Sequence, residues 1–239
     1  YSILQSTTKI SNLIEKCGEL GMHAVALTDT GNMMAAFHFE AAANKYNQKI
    51  RLERDTAEKE NEPYNKEEIL PIIGCEFNVC RDMNDKSQKD NGSRVVLLAK
   101  NKAGYQNLIK LASLAYTAGM YYVPRIDKEL LLEYKSELIV LSGGVYGEIP
   151  NLILNVGEQQ AENALLWWKE HFGDDFYIEL NRLGLEIEDR LNTSLIELSR
   201  KHQVKLVAAN DTFYLNKSDA QAHDVLLCVK ENQLVETKK

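Results

Sequence analysis

The chain has 239 residues, 44% hydrophobic and 26% charged, with a formal net charge of −7. That length fits one large domain or two small ones, and that composition excludes wholesale disorder. The acidic balance excludes a sequence-independent grip on DNA spread over the whole surface, and the longest uncharged stretch, the 14 residues 111–124, falls short of the roughly 20 that a membrane span needs.

Taken in order, the chain opens Tyr1-Ser2-Ile3-Leu4 without an initiator Met and without the charged and apolar regions of a signal peptide. It reads as a piece of a longer protein. Ile10, Leu13, Ile14, Cys17 and Leu20 recur at helical spacing, with Gly21 as the stop. A short apolar run at 24–28 reads as a strand and 33–45 as a helix. Residues 51–68 then carry eleven Lys, Arg, Asp or Glu among eighteen without apolar periodicity. The polar stretch of about 46–68 is therefore expected to be a solvated insertion within a single domain covering 1–239.

Further strands are expected at 70–77, 94–99, 137–141, 176–180 and 205–209, with a polar surface loop at 81–93. Helices are expected over 105–116, 158–171, 187–198 and 218–229. Short, nearly continuous apolar strands alternating with helices specify a parallel sheet in an α/β fold.

In such folds ligands gather where strands end, here at Asp29-Thr30, Glu76, Ser142-Gly143-Gly144, 179–182 and Asn210-Asp211. Carboxylates at successive strand ends suit hard cations, but these ends lack the imidazoles that a hydrolytic metal cluster also wants. None of the five histidines forms an H-x-H or H-x-x-x-H pair, and His223 reads as a packing or hydrogen-bonding group. Phosphate-cradling glycine loops and a G-x-S-x-G elbow are absent. Cys75 and Cys80, with four residues between them, have a spacing used by zinc, but no second pair follows. The four cysteines read instead as reduced, partly buried thiols of a cytoplasmic protein.

Seven segments together carry a family likeness. They are 24–33 (AVALTDTGNM), 70–76 (LPIIGCE), 97–101 (LLAKN), 124–127 (PRID), 141–144 (LSGG), 210–214 (NDTFY) and 222–228 (AHDVLLC). In this order they resemble the PHP (polymerase and histidinol phosphatase) domain, in the version found at the start of the alpha subunit of bacterial DNA polymerase III. The resemblance spans essentially the whole chain. It implies a distorted (β/α)7 TIM-like barrel, whose first strand, bearing an H-x-H pair, would lie before Tyr1.

The resemblance also implies a cleft. Metal-bearing members have an acid where this chain has Gln5 and a His where it has Thr30. They keep Glu at 76, and have His at 94, Cys at 144 and an Asp-x-His pair at 211 and 213. Here those positions are Gln5, Thr30, Glu76, Arg94, Gly144, Asp211 and Phe213, and Leu183 stands where a His is common. Losing imidazoles and a thiolate removes transition-metal ligands, while Arg94 brings in a cation and offers Glu76 or Asp211 a charge-assisted partner. The expectation is a vestigial cleft, with Asp29 beside it, holding no metal or other cofactor and no catalytic residue. The expected role is a scaffold that supports the polymerase body of the same chain and docks the proofreading exonuclease subunit and replisome components. Magnesium and DNA would be handled elsewhere in the parent polymerase. The alternative is an active metal-dependent phosphoesterase or 3′–5′ exonuclease using Asp29, Glu76 and Asp211.

Overall fold

The computed structural model describes residues 4–236. Strands and helices alternate along most of the chain, in keeping with the TIM-like α/β class, and the chain divides into two compact units. The first comprises 1–27, 34–72 and 211–239; the second comprises 28–33 and 73–210.

The first unit contains α1 (Ile10–Glu19), β1 (Ala24–Leu27), α2 (Ala36–Glu60), the opening of β2 and α8 (Ala220–Glu231). The helix expected to stop at Lys45 instead runs on to Glu60, so much of the expected insertion is helical. Its buried contacts, Phe39, Ala43, Asn47, Ile50 and Ala57, fall at spacings of three, four and seven, and the charged residues between them hide that stripe. Asn47 ties the helix to the returning chain, donating to the Ile69 carbonyl at 2.9 Å and accepting from its N–H at 2.8 Å. Ion pairs of Glu68 with Arg51 and Arg54 decorate the solvent side.

The second unit carries the rest of β2 (Leu70–Cys80) and β3 (Ser93–Ala99), α3 (Lys102–Thr117), β4 (Arg125–Asp127), α4 (Lys128–Glu133) and β5 (Leu138–Leu141). It continues with α5 (Glu148–Asn155), α6 (Glu158–Phe172), β6 (Phe176–Leu180), α7 (Glu186–His202) and β7 (Lys205–Ala208). Its strand order is β2-β3-β5-β6-β7, with β4 on the edge of β2 opposite β3. The sheet is mixed, which corrects the all-parallel expectation: β3 runs antiparallel to both β2 and β5. The 12 residues from Arg81 to Gly92 separate β2 from β3 without the helix that a parallel crossover usually carries, and they are ample for a hairpin.

The expected strand runs appear as β1, β2, β3, β5, β6 and β7, and β4 brings the strands among the described residues to seven. Strand β4 escaped detection because Arg125 and Asp127 flank its only apolar residue, and both are buried. Arg125 is fully buried, donating to the carbonyls of Gly119, Met83, Asp85 and Asp90. It thereby fastens the 81–92 loop. Leu97, Leu108, Leu111, Leu131, Val140, Leu165 and Ile178 form the centre of this unit's core.

Candidate functional site

Sheet register in the second unit decides what surrounds Glu76. The Glu76 N–H donates to the Asp29 carbonyl at 3.1 Å, and Gly31 N–H donates to the Glu76 carbonyl at 2.8 Å. This parallel bridge pairs Thr30 with Glu76, and paired residues share a sheet face. The Thr30 hydroxyl accordingly donates to Glu76 Oε1 at 3.0 Å. On the other edge Glu76 pairs with Val96, which makes Arg94, two residues away, its diagonal neighbour on the same face. Arg94 Nε reaches Glu76 Oε2 at 3.0 Å. The Glu76 side chain is 11% exposed, so this is a charge-assisted bond with little solvent competition. Tyr146 stacks against the guanidinium, 4.7 Å from Cζ to ring centre.

Glu179, at the end of β6, is met differently. Its Oε2 accepts the N–H groups of Gly143 and Gly144, at 2.5 and 2.9 Å. Its own N–H donates to the Ser142 hydroxyl oxygen at 2.9 Å. Successive N–H groups converge because Gly143 and Gly144 both adopt positive φ, 82° and 57°. A side chain at 143 would also strike the Arg94 carbonyl, since a Cβ there would lie 2.0 Å from that oxygen. Position 144 therefore helps to form a backbone nest around a carboxylate.

Leu183 is exposed in the turn after β6. Asp29 contributes its carbonyl to Glu76 N–H and accepts a bond from the Cys75 thiol at 3.3 Å. Burial pushes the Cys75 thiol far above its ordinary range, so it remains a neutral donor. Cys75 and Cys80 are an odd number of positions apart on β2 and face opposite sides of the sheet, which excludes a shared ion. All four cysteines are free and buried.

In the first unit, Gln5, Phe213 and His223 come together. His223 Nε2 lies 2.8 Å from the Gln5 carbonyl, which can only accept, so Nε2 carries the proton in this contact. The Phe213 ring stacks on the imidazole at 5.6 Å, and its carbonyl accepts from the Ser6 hydroxyl and the Thr7 N–H. The packing and hydrogen-bonding role read for His223 is the one observed. Asp211 is exposed in the same unit, after β7. Among the described residues, no three or more His, Cys, Asp or Glu side chains gather as a metal-holding group.

Sequence reasoning missed Tyr146, Arg125 and Glu188. The buried Glu188 carboxylate collects three backbone N–H groups before α7. A Glu three residues after a helix start was the available signal, obscured because Leu185 occupies the cap position.

The PHP domain family model matches residues 1–183, and the chain belongs to that family. Its curated relatives include DNA polymerase III subunit alpha of Borreliella burgdorferi, 40% identical over 233 residues, covering 96% of this chain and 18% of that protein. The subunit of the same name from Treponema pallidum is 36% identical over 234 residues, again covering 96% of this chain and 18% of the relative. The chain thus spans about a fifth of the length of the relatives it matches. Among solved structures, an amidohydrolase from Chromobacterium violaceum is similar in fold, with a TM-score of 0.52, 10% identity and coverage of 88% of this chain and 84% of that one. No helix among the described residues is long and apolar enough to cross a membrane.

Proposed function

We propose that this chain is the PHP domain of a replicative DNA polymerase of the DNA polymerase III alpha type, serving there as a scaffold and not as a phosphoesterase. One observation carries the reading: both oxygens of Glu76 are engaged, Oε1 by Thr30 and Oε2 by Arg94. A divalent ion at this carboxylate would have to displace a guanidinium from a largely buried partner and then tolerate its charge nearby. The residue types at the ligand positions that the resemblance implies do not suit a metal centre. Gln5, Thr30, Gly144, Leu183 and Phe213 offer neither thiolate nor imidazole, and Asp211 is one carboxylate.

In this reading the salt bridge takes over the cross-strand tie that a metal would otherwise supply. The domain stabilises the polymerase body and docks the proofreading exonuclease subunit, while magnesium, polymerisation and DNA contacts belong to the remainder of the protein. The acidic balance of the chain agrees with leaving DNA to other parts. The cellular setting is cytoplasmic.

The test uses the complete protein as expressed by its natural host. Elemental analysis is expected to find fewer than about 0.1 equivalents of zinc, manganese or iron, below any stoichiometric site. Manganese-dependent nucleotide release is expected to be unchanged by Glu76→Ala. Stoichiometric metal that disappears with Glu76→Ala, together with release lost in that variant, would establish the phosphoesterase instead. Docking is tested separately: deletion of 1–239 is expected to abolish co-elution of the exonuclease subunit, and retained co-elution would remove that role.

A further inference from the structure

The turn between β6 and α7 combines rigid backbone with exposed apolar side chains. Glu188, 2% exposed, accepts with Oε2 from the N–H groups of Leu183, Gly184 and Leu185 at 2.7, 3.0 and 3.2 Å. Asn192, also buried, donates to the Asn181 carbonyl at 2.9 Å, and Asn181 donates to the Ala209 carbonyl at 3.0 Å. Buried polar groups thus hold 181–185 in one conformation. From this frame Leu183, Leu185 and Ile187 project with 56%, 55% and 43% of their surfaces exposed.

The local helix start does not explain them. A cap position favours Ser, Thr, Asp or Asn, and Leu185 has no side-chain acceptor to offer; Glu188 supplies that acceptor instead. Three apolar side chains within five residues are flanked by exposed Arg182, Glu186, Asp189 and Arg190. An apolar centre inside a charged rim is the anatomy of an interface, and a preorganised turn lowers the ordering cost of docking.

The size of the patch selects the occupant. Stable association of separate proteins takes about 800 Å² from each partner, more than three side chains offer, whereas a tethered segment docks at high effective concentration. The relatives extend far beyond the matched region, since this chain covers 18% of them. We infer that Leu183, Leu185 and Ile187 form a docking knob covered by an apolar surface elsewhere in the same, longer polypeptide. This rests on the reading of the chain as part of a polymerase.

The experiment places the photocrosslinking residue p-benzoylphenylalanine at 183, 185 or 187 of the complete protein. Irradiated monomer is then digested and its cross-linked peptides are identified by mass spectrometry. All three positions are expected to capture peptides of the same polypeptide from outside the 239 residues. Leu185→Asp is expected to lower capture from position 187 about tenfold, the loss typical of a contact at the centre of an interface. Capture confined to these 239 residues, capture of a second copy or another protein, or no capture would overturn the docking. The intact mass separates the two levels. A native polypeptide near 27 kDa would defeat the polymerase reading itself, whereas a long polypeptide without these crosslinks would defeat the knob alone.

Discussion

Glu76 and Glu179 are both nearly buried carboxylates on strands of the second unit, 9% and 6% exposed, yet they are held by different means. Glu76 depends on side chains brought from β3 and the 28–33 segment, Arg94 and Thr30. Glu179 depends on main-chain N–H groups of a glycine turn and on the Ser142 hydroxyl oxygen at its own N–H. A charge matched by side chains can be exchanged by substitution for another charge or for a ligand. A charge held by backbone is tied to the turn itself and changes only if the turn does. The first arrangement is therefore the more easily changed by substitution within a kept fold, and the second the more permanent.

The comparison breaks most severely at Gly143. Gly143→Ala combines a φ of 82° with a Cβ only 2.0 Å from the Arg94 carbonyl, and is expected to cost about 4 kcal/mol in chemical unfolding, the sum of backbone strain and overpacking. Because the turn abuts Arg94 backbone, this change should disturb both carboxylates. A cost below about 1 kcal/mol would show that the nest is not the rigid member of the pair.

Removing Arg94 comes next. Arg94→Ala leaves Glu76 charged, largely buried and short of its cation, at an expected cost of about 3 kcal/mol. Adding Glu76→Gln removes the stranded charge, so the double variant is expected to be more stable than Arg94→Ala alone. An additive result in this double-mutant cycle would mean that the two residues do not share their stabilisation.

Glu179→Gln sharpens the contrast. Its remaining carbonyl oxygen still accepts from the nest, but without charge assistance, so a loss of about 1.5 kcal/mol is expected. A loss exceeding that of Arg94→Ala would reverse the ranking of the two sites.

The smallest effect concerns Cys75, beside Glu76. Its folded pKa lies above the unfolded value, so its contribution to stability is complete below the ordinary thiol range, near pH 8.5, and is lost as pH rises toward the folded value. At pH 8.5 native-state alkylation is expected to spare Cys75 while the unfolded chain reacts, read by peptide mass spectrometry. Prompt native labelling would show that the β2 end opens and that the Glu76 pairing is loose.

How much of this was legible varied with the range of the interaction. The strands at 24–27, 70–80, 93–99, 138–141, 176–180 and 205–208 announce themselves by apolar runs, because burial of a strand is written in its own residues. Helix α4 and strand β4 did not. Asp127 caps α4 by accepting from Leu130 N–H at 2.9 Å, and the same residue ends a strand whose Arg125 is buried by carbonyls up to 42 residues away in sequence. The partnership of Arg94 with Glu76 was foreseeable from charge, with Asp211 as the other option. The stacking of Tyr146 had no local trace, and the strand ends at 142–144 and 179–182 were legible singly but not as partners.

The amino-acid sequence by itself determined the α/β class, the positions of most elements and the family, since each depends on local pattern or residue chemistry. The tertiary structure decided the mixed direction of the sheet, the identity of Arg94's partner and the means by which each buried carboxylate is satisfied. Those depend on register: a shift of one residue along β3 would turn Arg94 to the opposite face and leave Glu76 without its cation.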